Sequence, residues 1–398
     1  MLFKESIKRF TPPKGWSWAS IGDVAKLSFS SVDKKSVEGE SAVSLCNYMD
    51  VFYNRRIREG MPFMVSTASD SDIKKFTLNK GDVVLTKDSE TPEEIAFAAV
   101  IDEQIDNLVC GYHLAVLRPD KTRVTGEYLM SAINFHPNHH QFVRLANGAT
   151  RFGLGIDSLN NALLPIPPLA EQRKIAEILR TWDEAIETAE AELKAKQERK
   201  RGLVGKLVGA CGELASHARS LWPLVALSNF SKSKSGDSTL IKGKLFKEPG
   251  LGLFPAYSAT GQDVWRDTYA HDMTAIVVSA VGARCGRTFI ACGKWSAIAN
   301  TQVILPDLAK VEPYYLNLFL NDEKFWVRGG SAQPFVVPSK TLKKKIPLPP
   351  LAEQQKIVNI LQDADADIEL INERINALRT QKRGLMQKLL TGEVRVAA

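Results

Sequence analysis

Cysteine is scarce in this 398-residue chain, and the few present do not form the pattern of a disulfide scaffold. The five cysteines are an odd number and none lies in a CxxC pair, so we expect reduced thiols rather than a zinc or redox site. Long apolar runs are also missing, and the first residues, MLFKESIKRF, lack the apolar core of a signal peptide. Together these absences make the cytoplasm the expected location.

The motifs of several enzyme classes are missing as well. None of the Pro-Pro pairs lies in a [DNS]-P-P-[YFW] motif of the kind that holds a flipped base, and no GxxxxGK[ST] phosphate loop is present. We interpret the segment with His136, His139 and His140 as a polar surface turn rather than a metal site. Pro306-Asp307 and Asp322-Glu323-Lys324 have the composition of a nuclease metal site, but the second group falls in an apparent amphipathic helix. We therefore expect neither a metal site nor a catalytic centre.

The net positive charge of the chain comes from one segment. The formal net charge is +7, and residues 214–345 alone carry +8, whereas residues 1–165 carry −1 and the segments 166–213 and 346–398 are neutral. A basic domain in an otherwise balanced chain favours a polyanionic partner such as nucleic acid. A solvated basic surface without such a partner explains the charge nearly as well.

A long internal repeat organises the chain. The stretch PIPPLAEQRKIAEILRTWDEAIETAEAELKAKQERKRGLVGKL begins at Pro165, and PLPPLAEQQKIVNILQDADADIELINERINALRTQKRGLMQKLL begins at Pro347, which is 182 positions later. The groups PPLAEQ, KI, IL, KRGL and KL recur in register without a gap. The chain therefore consists of two copies of one plan.

Both copies predict a long helix with a narrow apolar stripe. Apolar residues alternate at steps of four and three, which is the seam of a coiled coil. Pro168 and Pro350 precede the pattern, and Gly209 and Gly392 follow it, so each helix should span about 38 to 40 residues. Such a stripe needs a partner helix, and the other copy is the most direct partner, although two helices of an ordinary bundle are the alternative. The residues that we expect to pair are Ile175, Leu179, Trp182, Ile186, Leu193, Ile357, Leu361, Ile368, Ile371, Ile375 and Leu378.

Some residues do not fit a single seam. Three lysines interrupt it and would either set the register or face a further partner, namely Lys196, Lys200 and Lys382. Several apolar residues lie off the seam and predict contact with further helices, among them Ile178, Val204 and Leu370.

The stretch before each helix predicts a mixed α/β domain, because short β-type runs are separated by Gly, Asn, Asp and Pro. The expected division is a first domain at 1–165, a first helix at 166–213, a second domain at 214–345 and a second helix at 346–398. The fold class is α+β, with two mixed domains separated by two long helices that pair as an antiparallel coiled coil in a pseudo-two-fold repeat. The two domains share an order of strands and loops, but their loops differ.

With this plan the chain resembles the specificity subunit of type I restriction-modification enzymes. The resemblance covers the full length, and its most specific element is PPLAEQRKIAEIL followed by KRGL-x-x-KL. The second domain adds a family-like series at 255–261, 276–287 and 300–303, from which the first domain departs at the acidic residues 86–94.

The resemblance implies that each domain reads one half of a bipartite, asymmetric DNA target. The helices would separate the halves and dock two modification subunits, and restriction subunits with motor and nuclease activity would complete the enzyme. S-adenosylmethionine, ATP and Mg²⁺ would bind to those partners, and this chain would hold no cofactor.

Within the domains, side chains of the variable loops are candidates for base contacts, and nearby Lys and Arg for phosphate contacts. The base-reading candidates of the second domain are Ser279, Arg284, Arg287 and Gln333, and its phosphate candidates are Lys232, Lys234, Lys242 and Lys244. The base-reading candidates of the first domain are Lys87, Ser89, Thr150 and Arg151, and its phosphate candidates are Arg55, Arg56 and Arg58. For each residue the alternative is a solvated loop position.

Two other functions stay open at this point. One is the recognition subunit of a related restriction system, and the other is a protein adaptor whose coiled coil joins protein partners. DNA binding with a steep salt dependence favours the specificity subunit, whereas protein association that is insensitive to salt favours the adaptor.

Overall fold

The computed structural model describes residues 11–208 and 222–397. The glycine expected to end the first helix, Gly209, and one of the cysteines, Cys211, lie outside the described residues. The chain divides into two compact units, the first formed by Met1–Glu190 with Arg374–Ala398 and the second by Ala191–Glu373. Each unit therefore combines one sheet-rich domain with a part of both long helices.

The first domain alternates short strands with short helices. Its strands are β1 (Ser17–Ser20), β2 (Ala25–Phe29), β3 (Ser41–Cys46), β4 (Arg56–Ile57), β5 (Met64–Ala68), β6 (Val83–Thr86), β7 (Asp88–Ser89), β8 (Ala98–Ile101), β9 (Leu108–Cys110), β10 (Leu114–Pro119), β11 (Phe152–Gly153) and β12 (Leu163–Ile166). Its helices are α1 (Ile21–Val24), α2 (Tyr48–Tyr53), α3 (Asp70–Phe76), α4 (Gly126–Asn134), α5 (His136–Leu145) and α6 (Ile156–Asn160), with a 3₁₀ turn at Pro92–Glu94. The first long helix, α7 (Leu169–Val208), follows.

The second domain has the same alternation. Its strands are β13 (Leu224–Ala226), β14 (Ser231–Ser235), β15 (Phe254–Ser258), β16 (Gly261–Arg266), β17 (His271–Asp272), β18 (Ala275–Ser279), β19 (Thr288–Ala291), β20 (Lys294–Ala297), β21 (Thr301–Pro306), β22 (Arg328–Gly329), β23 (Phe335–Val336) and β24 (Lys345–Pro347). Its helices are α8 (Pro313–Leu320) and α9 (Pro338–Thr341), with 3₁₀ turns at Leu227–Asn229 and Lys242–Lys244. The second long helix is α10 (Leu351–Leu390), and Gly392 follows it with a φ of 71°, as expected of a helix-ending glycine.

The large sheet of the first domain separates two apolar clusters. Its strand order is β2-β10-β6-β8-β4, and a smaller sheet has the order β5-β3-β9. Because successive residues of a strand point to opposite faces, Leu85 joins the cluster that contains Tyr128 of α4 and Ile175 of α7, whereas Val84 joins the cluster of Leu45 in the smaller sheet. The sheet is thus buried on both faces, and α7 packs against one of them.

The second domain is built in the same way around strand β18. Its two four-stranded sheets have the orders β14-β21-β18-β19 and β16-β15-β20-β17. Ile276 of β18 faces the cluster that contains Tyr315 of α8 and Ile357 of α10, whereas Val277 faces Trp295 of β20. Strand β18 therefore occupies the place that β6 has in the first domain.

The two long helices pair in antiparallel register inside each unit, as the sequence predicts. In the first unit Lys382 of α10 forms an ion pair with Asp183 of α7, and in the second unit Lys200 of α7 forms one with Asp365 of α10. Asp183 and Asp365 are 182 positions apart, and so are Lys200 and Lys382, so the repeat makes the same ion pair twice. Two further bridges follow the same register, Glu190–Arg379 at 2.6 Å in the first unit and Lys196–Asp367 at 2.6 Å in the second. The lysines that interrupt the seam therefore form ion pairs with the facing helix, as expected of residues that fix a register.

The burial of the seam follows its predicted pattern. Six of the predicted residues are buried, namely Ile175, Leu179, Ile357, Leu361, Ile371 and Ile375, and the others are half-buried. Ile178 and Val204 pack against the core of the first and second domain respectively, so the expectation that they face further helices was wrong. Leu370 is 67% exposed, so contact with a further helix stays a prediction for this residue.

One buried glutamine at the start of each long helix joins the helix to its domain. Gln172 accepts a hydrogen bond from the Thr125 backbone N–H at 2.9 Å and donates to the carbonyls of Arg123 and Pro167, both at 2.8 Å. Gln354, its repeat equivalent, accepts from the Glu312 N–H at 2.8 Å and donates to the carbonyls of Lys310 and Pro349 at 3.0 and 2.8 Å. Each side chain satisfies the backbone N–H at the start of a short helix, α4 or α8, together with two carbonyls of the segments that lead into the helices.

Two local predictions are wrong. The histidine segment is not a turn but the start of α5, because Pro137 at a first-turn position suits a helix, and the His139 Nε2–H donates to the Ile95 carbonyl at 2.6 Å. Burial lowers the pKa of His139. Asp322–Lys324 lies after the end of α8 rather than within a helix.

Residues 11–208 and 222–397 contain no group of three or more His, Cys, Asp or Glu side chains that could hold a metal ion. Within the same ranges no helix combines the length and the apolar character that crossing a membrane requires.

The buried glutamines lead to a first prediction. Gln354→Ala removes the partner of the Glu312 N–H and of two carbonyls. The bond to the Pro349 carbonyl is buried and the other two bonds are part-buried, so the second domain should lose about 1–3 kcal/mol of unfolding free energy. Gln355→Ala is the matched control, because this neighbouring side chain is exposed and should change stability by about 0.5 kcal/mol at most. Hydrogen exchange should show faster opening of α8 in Gln354→Ala only. Equal protection in both variants would contradict the role of Gln354.

A second prediction concerns Lys382. Burial lowers the pKa of Lys382 to about 8, Arg55 and Arg56 act in the same direction, and Asp183 opposes them. Because the pKa is lower in the folded than in the unfolded chain, the charged lysine costs on the order of 3 kcal/mol below about pH 8, and this cost disappears as the pH rises towards 10.5. Lys382→Met should lack this gain between pH 7.5 and 10.5 in urea unfolding.

Asp183→Asn serves as the control for this measurement. It removes the carboxylate that opposes the shift, so the gain in stability should begin at lower pH than in the wild type. If the unfolding free energies of wild type and Lys382→Met depend on pH in the same way, the buried lysine is not the titrating group.

Candidate nucleic-acid interface

Three chain segments meet at one end of the large sheet in the first domain. Directly after β6, the Lys87 N–H donates to the His113 carbonyl at 3.1 Å, and the Lys87 carbonyl accepts from the Leu154 N–H at 2.9 Å. Strand β7 pairs with β11, so that Ser89 lies opposite Phe152. We call these segments, residues 87–89, 112–113 and 147–154, the first platform. It brings together all four base-reading candidates of the first domain.

The loop that carries Thr150 and Arg151 depends on a glycine. Gly148 has a φ of 146°, and a Cβ atom at this position would lie 1.8 Å from the carbonyl oxygen of Arg151. Only glycine therefore permits the tight loop. Both Thr150 and Arg151 are exposed at its tip.

The second domain has an equivalent platform, formed by residues 279–287, 299–300 and 330–336. The Ala280 N–H donates to the Asn300 carbonyl at 2.9 Å, and the Ala280 carbonyl accepts from the Val336 N–H at 2.9 Å. The Gly282 N–H donates to the carbonyl of Pro334 at 2.8 Å, next to Gln333. This second platform brings together the base-reading candidates of the second domain.

The two platforms share one backbone pattern. Lys87 and Ala280 make the same two hydrogen bonds, and Leu154 and Val336, which complete the pattern, are 182 positions apart like the long helices. The side chains on the two platforms differ at almost every position. We call this shared set of backbone hydrogen bonds the frame. The same frame therefore carries different side chains in the two domains.

Burial separates the candidate base readers into two groups. Arg151, Thr150, Arg284, Arg287 and Gln333 are exposed on the platforms.

The other three candidates are buried, and their predicted role needs correction. The Lys87 ammonium is 2.9 Å from Asp88, the Ser89 hydroxyl donates to the Thr91 carbonyl, and Ser279 exchanges backbone hydrogen bonds with Gly286 and Arg287. Their contacts position the loops, and the geometry does not present them to a ligand.

A carboxylate beside the second platform holds two arginines. Glu323 lies 3.4 Å from Arg284 Nε and 3.1 Å from Arg328 Nη2. Glu323 belongs to the segment that resembles a nuclease metal site, and the structure uses it to orient the exposed Arg284 instead.

The phosphate candidates of the second domain differ in their availability. Lys232 and Lys234 are exposed on the edge strand β14, where residues two apart point to the same side, and Lys244 is also exposed. The Lys242 ammonium lies 2.5 Å from the Asp263 carboxylate, which neutralises part of its charge.

The arginine cluster of the first domain is largely internal. Arg56 is buried, and its Nη1 lies 3.1 Å from both Asp102 and Glu127. Arg58 bridges Asp102 at 3.1 Å and Glu187 of α7 at 2.9 Å. Burial alone would raise the pKa of Asp102, but the hydrogen bond from Arg58 and the charge of Arg56 hold it below its usual range.

These contacts correct the expectation that Arg56 and Arg58 bind phosphates. Arg58 ties the first domain to α7 directly through Glu187, and Arg56 holds the carboxylates of Asp102 and Glu127, which Arg180 of α7 also contacts at 3.8 and 3.4 Å. The neighbouring Arg55 is exposed and lines a cleft of about 1220 Å³, so it stays a candidate for phosphate contact.

Two mixed α/β domains, each with an exposed platform of polar and basic side chains, are mounted on a repeated pair of helices. This arrangement defines a two-domain recognition protein. Residues 13–197 and 258–380 match the family described as "Type I restriction modification DNA specificity domain", and the chain belongs to this family.

Known relatives agree with this assignment. The chain is 25% identical over 358 residues to the putative type I restriction enzyme MjaX specificity subunit of Methanocaldococcus jannaschii, covering 83% of each chain. It is 24% identical over 273 residues to the MjaVIII specificity subunit of the same organism, covering 59% of this chain and 63% of that one. The fold is similar to the S subunit of a type I restriction-modification system from M. genitalium, with a TM-score of 0.59 at 16% identity over 94% of this chain and 96% of that chain.

The arginine cluster leads to a third prediction. Arg56→Gln removes one partner of a buried ion network, so the unfolding free energy of the first unit should fall by about 3–5 kcal/mol. Arg173→Gln is the control, because this arginine of the same unit is exposed on α7, away from the network, and the change should alter the unfolding free energy by about 0.5 kcal/mol at most. Chemical denaturation of both variants provides the measurement. A stable Arg56→Gln variant would show that the network does not hold the domain to α7.

Proposed function

We propose that this chain is the sequence-reading subunit of a type I restriction-modification enzyme. The first domain reads one half of a bipartite, asymmetric DNA target and the second domain reads the other half. The observation that carries the proposal is the pair of platforms, which share one backbone frame and present different side chains. A protein that recognises two unlike half-sites requires this combination.

The exposed platform residues are suited to contact base edges. Arginine can bond guanine through two hydrogen bonds and glutamine can do so with adenine, which makes Arg151, Arg284, Arg287 and Gln333 the side chains that we assign to base contacts, with Thr150 beside them. Lys232, Lys234, Lys244 and Arg55 are assigned to phosphates, which position the protein on DNA without reading sequence.

The long helices would set the distance between the half-sites. A paired helix is stiff and has a rise of about 1.5 Å per residue, so its length defines a fixed spacing. Its remaining exposed surface, including Leu370, would dock two modification subunits. The family assignment favours this reading over a protein adaptor.

The chain itself would carry no catalytic activity. Adenine methylation would be performed by the modification subunits with S-adenosylmethionine, and cleavage by restriction subunits with ATP and Mg²⁺. We expect the assembled enzyme in the cytoplasm, where its DNA substrate is located.

The experiment that tests the proposal maps methylated adenines in a genome that carries the chain with its partner subunits. A split motif with a constant gap is the expected result. Binding of the purified complex to that motif should weaken steeply with salt, because phosphate contacts release counterions. Methylation without a split motif would overturn the proposal.

A fourth prediction addresses the spacing. Seven residues inserted after Ala191 and seven after Glu373, which are equivalent positions of the repeat, keep the heptad pattern and lengthen both helices by about 10 Å. The gap of the methylated motif should grow by about three base pairs, since DNA rises about 3.4 Å per base pair, while both half-sites stay the same.

Insertion into α7 alone is the control for the spacing prediction. It shifts one helix against the other and should abolish methylation, because the repeated ion pairs can no longer form in both units. An unchanged gap in the doubly lengthened chain would show that the helices do not measure the distance.

A further inference from the structure

Each platform contains one residue that lies directly before a central strand of its sheet and was not among the candidates for base contact. In the first domain this residue is His113, before β10, and in the second it is Asn300, before β21. Their carbonyls accept the equivalent hydrogen bonds from Lys87 and Ala280. The strand registers agree as well, since β6 and β18 pair with β10 and β21 at the same point of the frame. His113 and Asn300 therefore occupy one structural position in the two copies.

Asn300 presents an exposed amide with no internal role. Its side chain is exposed and has no hydrogen-bond partner among residues 11–208 and 222–397. Its backbone has a φ of 63°, a conformation that asparagine and glycine adopt most readily. The turn explains the backbone, but it does not require an amide, because glycine would fit the same φ. The amide group can bond the N6 and N7 atoms of adenine together.

Neighbouring side chains fix the orientation of the His113 imidazole. Its Nδ1–H donates to Asp88 Oδ2 at 2.8 Å, and the same carboxylate binds the Lys87 ammonium at 2.9 Å. The ring of Tyr112, which is 52% exposed, packs edge-on against the imidazole with ring centroids 5.1 Å apart. With Nδ1 occupied, Nε2 is the polar atom of the ring that is left for a ligand.

We propose that His113 and Asn300 are specificity-determining residues that each contact one base edge in the half-site read by their own domain. The inference rests on the proposed function and deepens it, because it assigns a third reading segment to each platform. Asn300 reads an adenine, and His113 Nε2 contacts a polar atom of a base in the other half-site. Asp88 acts as the positioning residue that fixes the orientation of the imidazole.

The test maps the methylated motif of the complete system with single variants of this chain. Asn300→Gly removes the amide and fits the backbone, and Asn300→Asp keeps the size and replaces the donor with an acceptor. Both should relax or change one base pair in one half-site, with discrimination at that position falling roughly five- to 150-fold. His113→Ala and His113→Gln should change one base pair in the other half-site.

The matched controls alter exposed side chains at the opposite ends of the same strands. Lys121→Ala follows β10 and Lys310→Ala follows β21, and both should leave the whole motif unchanged. Asp88→Asn should act like the His113 variants at the same base pair, because it frees the imidazole, and Asn300→Gly should leave that base pair intact.

The outcomes separate the inference from the proposed function. If the wild type methylates no split motif, the proposed function fails. If the wild-type motif is split and every folded variant of His113 and Asn300 keeps both half-sites and their discrimination, the inference is overturned. A change confined to one half-site for each residue supports it, whereas a uniform loss of affinity at unchanged sequence preference assigns both residues to phosphate contacts and contradicts it.

Discussion

The antiparallel pairing of α7 and α10 is the constraint on which the rest of the structure depends. An amphipathic helix of 40 residues with a narrow apolar stripe is not stable alone in water, so each copy needs the other. The pairing also completes the cores of the domains. Met386, Leu389 and Leu390 of α10 join the core of the first domain, and Leu203 and Val204 of α7 pack against that of the second. Neither domain is complete without chain from the other copy.

The two equivalent ion pairs between the helices differ in how deeply they are buried. Asp183–Lys382 is almost fully buried, and Asp365–Lys200, its repeat equivalent, is partly exposed. An exposed pair contributes little to stability, whereas a buried pair is costly to break, because one charge is then left without a partner. Both pairs penalise a shift in register, since a slip of one residue separates the charges. The buried pair therefore opposes a register shift strongly in the first unit, and the exposed pair opposes it only weakly in the second.

In both platforms the backbone fixes the position of the loops, and the side chains at the loop tips are the groups that we assign to base contacts. The frame consists of backbone hydrogen bonds from segments that follow β6 and β18, and these bonds do not depend on the side chains that the segments carry. Side chains at the tips of the loops can therefore differ between the domains while the loops keep their places. The buried candidates Lys87, Ser89 and Ser279 hold the loops in place, and the exposed ones, such as Arg151 and Gln333, form the surface that we assign to base reading.

The sequence alone determined the two copies and the long helices, because heptad spacing and a repeat at a constant offset depend only on the order of residues. Their antiparallel pairing was predicted, and the ion pairs between α7 and α10 show it. It also identified the loops that form the platforms. Only the tertiary structure decided which residues of those loops are exposed, that Arg56 and Arg58 bind carboxylates of their own unit, and that His113 and Asn300 share one position. Burial and ion pairing join residues that are far apart in the chain, such as Arg58 with Glu187, and no local pattern of residue types records which partners will meet.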